Sequence, residues 1–71
     1  MAEVVEAEMV ANVLQVLVVV GDLVAAGDAL LLLESMKMEI PVLAEGGGTV
    51  SAVKVVVGDV IQTGDILVTI D

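Results

Sequence analysis

Arginine, histidine, cysteine, phenylalanine, tyrosine and tryptophan are all missing from this chain. Without cysteine there is no disulfide and no thiolate ligand or nucleophile. Without histidine there is no imidazole zinc site, no Ser-His nucleophile pair, and no general base that titrates near neutrality at its ordinary pKa. Without arginine, and with two lysines against eleven acids, the formal net charge is −9. Nucleic acids and anionic membranes both need clustered cations, so neither is expected as a partner. The charge keeps an otherwise apolar chain soluble and admits a partner with a basic docking surface. At 71 residues the chain is one small domain with a thin core. With no disulfide or thiolate–imidazole metal site to staple it, packing and sheet hydrogen bonds must hold it together.

Long hydrophobic runs are scarce too, although 59% of the residues are hydrophobic. The longest charge-free stretch, Met9 to Gly21, is 13 residues and contains Asn12 and Gln15. A spanning helix needs about 20 apolar residues, so no membrane span is expected. The N-terminal segment carries Glu3, Glu6 and Glu8 where a signal peptide would carry cations, and a cytoplasmic location is the expectation.

What the chain has is valine, 17 copies, and a repeat. Residues 5–34 align with 42–71 at an offset of 37, with 13 of 30 positions identical. The shared text is VVVGD at 18–22 and 55–59, followed four residues later by a second Gly-Asp at 27–28 and 64–65. Two copies are too few for a solenoid and read as two halves of one domain related by an approximate two-fold axis. Valine and isoleucine favour strands. Gly-Asp pairs mark tight turns, because glycine accepts positive φ and aspartate bonds its own backbone. An all-β sandwich or barrel follows. Strands are expected near 3–7, 13–19, 30–34, 39–43, 50–56 and 66–70, with very short ones at 23–25 and 60–62. Gly46 to Gly48 reads as a flexible turn. Four consecutive leucines at 30–33 could be helical, but they align with Leu67-Val68-Thr69-Ile70 and are read as strand. Pro41 cannot donate to a ladder and predicts an edge strand. Asp22, Asp28, Asp59 and Asp65 are read as turn residues, because they lack the dense oxygen spacing of a calcium loop. No metal site is expected.

Between the halves lies Ser35-Met36-Lys37-Met38-Glu39, a hairpin with Lys37 at its exposed tip and the termini expected at the opposite end. Lys54, the other lysine, aligns with Leu17 and reads as an outward, mid-strand solubilising charge.

ESMKMEI, residues 34–40, resembles the biotin-attachment motif of the biotinyl/lipoyl carrier domains, whose core is Ala/Ser-Met-Lys-Met. The resemblance extends over VVVGDLVAAGDALLLLESMKMEIPV and GGTVSAVKVVVGDVIQTGDILVTI, essentially the whole chain. It implies a single domain, 1–71, folded as a flattened β-barrel or sandwich of two four-stranded antiparallel sheets with quasi-two-fold symmetry. Its halves, about 5–34 and 42–71, would be joined by the hairpin 35–39. It further implies a carrier, not an enzyme. A biotin protein ligase would acylate Lys37 with biotin, Met36 and Met38 would flank the cofactor as recognition surface, and Ser35 and Glu34 would support it. A biotin carboxylase and a carboxyltransferase would be the working partners. No insertion is long enough for the protruding thumb of some acetyl-CoA carboxylase carriers. Lipoate on the same lysine is the alternative cofactor, although methionine on both sides favours biotin. The narrow residue alphabet also fits an engineered sandwich that keeps the motif without carrier activity. Family members usually carry polar residues on outward strand positions, whereas Leu17, Val19 and Val56 here sit among other apolar residues. At least two side chains of Val16 to Val20 must face outward, which predicts exposed apolar surface and self-association.

Overall fold

The computed structural model describes residues 3–71. It contains eight strands and, among the described residues, no helix. They are β1 (Glu3–Glu6), β2 (Ala11–Val16), β3 (Leu23–Val24), β4 (Ala29–Ser35), β5 (Met38–Leu43), β6 (Gly48–Val53), β7 (Val60–Ile61) and β8 (Ile66–Ile70). They form two four-stranded antiparallel sheets, ordered β1-β8-β6-β3 and β5-β4-β2-β7. The offset of 37 maps each sheet onto the other, so the repeat is a structural quasi-dyad.

Hydrogen bonds across the axis obey the same offset. Gly21 N–H donates to the Val50 carbonyl (2.8 Å), and Gly58 N–H donates to that of Val13 (2.9 Å). In return Val50 N–H donates to the Asp22 carbonyl and Val13 N–H to that of Asp59, both at 2.9 Å. Each half therefore pins the turn of the other, and neither half can form its full hydrogen-bond set alone.

The Gly-Asp turns share one construction. In 19–22, 25–28, 56–59 and 62–65 the fourth residue's N–H donates to the first residue's carbonyl. The third residue is a glycine with φ between 90° and 98°, the type II pattern. The aspartate Oδ2 then accepts the N–H of the first residue at 2.8–3.0 Å. These carboxylates are spent on turn closure.

The leucine run is resolved by a bulge. In β4, Ala29 faces Leu43 and Leu31 faces Val42, leaving Leu30 as the extra residue; in β8, Leu67 is skipped in the same way. A bulge breaks period-two alternation locally, so Leu30 and Leu31 both turn inward, as do Leu67 and Val68, each with no measurable exposure. These four, with Val13, Val50 and Ile70, are the largest fully buried side chains of a wholly apolar core.

Two sequence expectations are corrected. β2 ends at Val16 and β6 at Val53, not at 19 and 56. Beyond those points the valines cross from one sheet to the other with no ladder to join, so valine's strand propensity was overridden. Lys54 accordingly lies one residue past β6, exposed, with its N–H donated to the Leu67 carbonyl (2.8 Å). Gly48 is the other correction, being the first residue of β6 and not part of a flexible turn. A Cβ there would collide with the Asp71 carbonyl oxygen and lie 2.8 Å from Ile70 Cγ2, whereas at Gly46 the nearest atom is 3.9 Å away. Gly48→Ala should therefore cost about 1–3 kcal/mol in urea denaturation, and Gly46→Ala should cost close to nothing. Equal midpoints for the two variants would contradict this packing. Pro41 does sit on an edge strand, β5.

Candidate functional site

The hairpin joining the halves is tighter than its sequence suggests. β4 continues to Ser35 and β5 starts at Met38, with these two residues paired, so the loop is Met36-Lys37 alone. Both have positive φ, 54° and 66°. Two left-handed residues in a two-residue loop make the type I′ geometry, which matches the twist of the flanking strands. That turn normally takes Asn-Gly, and a residue with a Cβ is strained by about 1 kcal/mol or more in the left-handed region. The six-pair ladder between β4 and β5 holds it in place. The strain gives the tip two long side chains where glycine would provide none.

Met36 is 92% exposed, Met38 63% exposed, and Lys37 is exposed. Ser35 and Glu34 are half-buried on β4. The expected residues thus share one projection, with the lysine at its second turn position. One neighbour was not singled out from sequence. Glu39 is exposed on β5 directly opposite Glu34, a like-charged cross-strand pair at the base of the tip. Its pairing depends on register, which the sequence did not give.

The clefts of the molecule lie elsewhere. A groove of about 720 Å³ runs between the edge strands β1 and β5 and is lined by quasi-dyad mates such as Val5 with Val42 and Glu8 with Glu45. Glu3 crosses its end, its two carboxylate oxygens accepting the N–H groups of Glu45 and Gly46 at 3.1 Å each. A second cleft, about 380 Å³, is lined by valines alone, four from 16–20 and their four mates from 53–57. Neither includes Lys37. The candidate site is convex and therefore acts by presentation, because it encloses nothing. Among the described residues no acidic cluster could hold a metal ion, and no helix is long and apolar enough to cross a membrane.

Comparison with known proteins is consistent with this geometry. The model of the biotin/lipoyl family, described as "Biotin-requiring enzyme", matches residues 1–70. The "Biotinylated protein TB7.3 homolog" of Mycobacterium leprae is 65% identical over 51 residues, 72% of each chain. The "Biotin carboxyl carrier protein" of Streptococcus mutans is 45% identical over 64 residues, 90% of this chain and 49% of that one. Among solved structures, the urea carboxylase of Kluyveromyces lactis superposes on the whole chain with TM-score 0.93 at 32% identity. A single-chain, multi-domain long-chain acyl-CoA carboxylase covers 96% of it with TM-score 0.89 at 31% identity. This chain corresponds to only 6% and 7% of those two proteins.

Proposed function

This chain belongs to the biotinyl/lipoyl family as a biotin carrier domain with no catalysis of its own, and on that premise we propose that biotin is attached through the Nζ of Lys37. The observation that carries the proposal is the two-residue left-handed turn, which displays this amine past the last pair of the β4–β5 ladder on the hairpin joining the quasi-symmetric halves. The site fits the group, since an exposed amine on a projection can enter a ligase without local unfolding. The lipoate alternative finds no support in the named relatives.

The lysine's role is nucleophilic. Its uncharged amine attacks the acyl carbon of adenylated biotin, an amide forms, AMP leaves, and the amine's proton passes to a base of the ligase. The net charge falls from −9 to −10 because one cation is lost. When bound, biotin supplies carboxyl-group transfer chemistry, shared with a biotin carboxylase and a carboxyltransferase. The domain then serves as a rigid handle. Tethering makes each visit to a partner site nearly intramolecular, with effective concentrations of order millimolar. Met36 and Met38 offer soft, unbranched contact surface beside the cofactor, with Ser35 and Glu34 supporting the turn from β4. We place the reaction, which consumes ATP, in the cytoplasm.

The test is intact-mass spectrometry after incubation with a biotin protein ligase, ATP and biotin. The parent should gain one biotinyl unit and Lys37→Ala none. A biotinyl unit on Lys37→Ala would move attachment to Lys54 and overturn the assignment.

The valine cleft supports weak self-association. Val19, Val20, Val56 and Val57 are each about two-thirds exposed, in a patch that carries no charge of its own. Eight valines are fewer than the roughly 20–30 residues a side, about 800 Å² per partner, of a stable interface. Any dimer should therefore be weak and form only as concentration rises. Sedimentation velocity should show mass rising with concentration for the parent, and no rise for the Val19→Asp, Val56→Asp double variant.

A further inference from the structure

Sulfur in this chain is confined to methionine, because cysteine is absent. Its placement is uneven. Met9 is partly buried and packs against the core. Met36 and Met38 stand 92% and 63% exposed on either side of Lys37. Thioether oxidation follows access, and it converts a flexible apolar side chain into a polar, chiral one.

We infer that Met36 and Met38 are sulfoxidation sites, oxidised by hydroperoxides ahead of Met9, and that their oxidation slows acylation of Lys37. The thioether sulfur attacks the distal peroxide oxygen. The O–O bond breaks as the S–O bond forms, sulfur is oxidised by two electrons, and the peroxide is reduced to water or an alcohol once its leaving oxygen takes a proton. The fold should survive this change, because neither side chain contributes to the core and the turn is held by the β4–β5 ladder. The surface offered beside the amine does not survive it. A partner closing over the tip meets two soft apolar arms in the reduced chain and two solvated S–O dipoles in the oxidised one, whose desolvation opposes docking. The consequence for acylation rests on the attachment proposed above. The selectivity of oxidation does not.

The experiment separates the two. The full chain is treated with hydrogen peroxide, and oxygen addition is assigned to individual methionines by fragment-ion mass spectrometry. Circular dichroism is recorded in parallel. Met36 and Met38 should gain oxygen before Met9, with the β-sheet spectrum unchanged. Initial rates with a biotin protein ligase, ATP and biotin are then compared before and after oxidation. The oxidised chain should show kcat/KM about tenfold lower, and methionine sulfoxide reductase should restore it. A Met36→Leu, Met38→Leu variant, referred to its own untreated rate, should lose the peroxide response, and Met9→Leu should keep it. Oxidation of Met9 as fast as that of the tip, or an unchanged rate with both tip methionines oxidised, overturns the inference. A chain that takes no biotin before oxidation overturns the attachment at Lys37 and the effect on acylation with it. The mapped order of oxidation then still decides the site.

Discussion

Leu67→Ala should leave much of the population unfolded at room temperature. Leu67 has no measurable exposure and sits at the bulge where β8 meets β1, packed into a core with no polar member. Truncating such a leucine costs about 2.7–5 kcal/mol, the transfer loss plus the cavity left behind. A core of this size supplies no more than about 3–5 kcal/mol, and the chain has no disulfide to make up the difference. Thermal denaturation followed by circular dichroism should show the midpoint lowered by at least about 15 °C, or no cooperative transition at all. Leu30, its quasi-dyad mate, has the same burial and the same bulge against β5. Leu30→Ala should therefore lower the midpoint by a similar amount. A loss under about 1 kcal/mol in either variant would mean the site collapses around the alanine and the core is looser than its burial implies.

The same pair of leucines shows where sequence reasoning reached and where it stopped. The internal repeat disclosed the quasi-dyad, and the Gly-Asp pairs disclosed all four turns, because both are written in residue identity. Leu30 to Leu33 was assigned to a strand only through its alignment with 67–70. The bulge that turns two successive leucines inward depends on pairing partners distant in the chain and is not marked locally. The valines at 18–20 and 55–57 misled for a related reason. Their propensity is for strand, but the chain there is crossing between sheets and has no ladder to join. At the tip, Lys37 was legible from its place between the copies. The left-handed turn was not, because Met-Lys carries none of the Asn-Gly chemistry that announces it. Local preference and global fold disagree at Met36 and Lys37, and such disagreement is expected where a sequence serves something other than stability.

That disagreement leads to the second large effect. Exchanging the two turn residues, Met36→Lys with Lys37→Met, preserves composition, net charge and the number of strained positions. The fold should not register it, and the melting temperature should stay within a few degrees of the parent. Ligation should register it strongly. The two positions of a type I′ turn project their side chains in different directions, and the Ser35–Met38 pair fixes the frame from which they project. A ligase must bring one amine into line with an acyl carbon, and a misplacement of about 1 Å can cost about a hundredfold. We therefore expect kcat/KM for biotinylation of the exchanged variant, measured by intact mass over time, to be about a hundredfold lower. Met36 is 92% exposed, so the relocated amine would be on open display, and exposure could not explain the loss. If the exchanged chain were acylated within threefold of the parent, display alone would suffice, and the left-handed turn would serve the hairpin's twist and not its chemistry. A hundredfold loss in a fully folded chain would mean that the ligase reads the order of the tip, an amine at the second left-handed position with a thioether on each side, and that the strain at Met36 and Lys37 is held to present it.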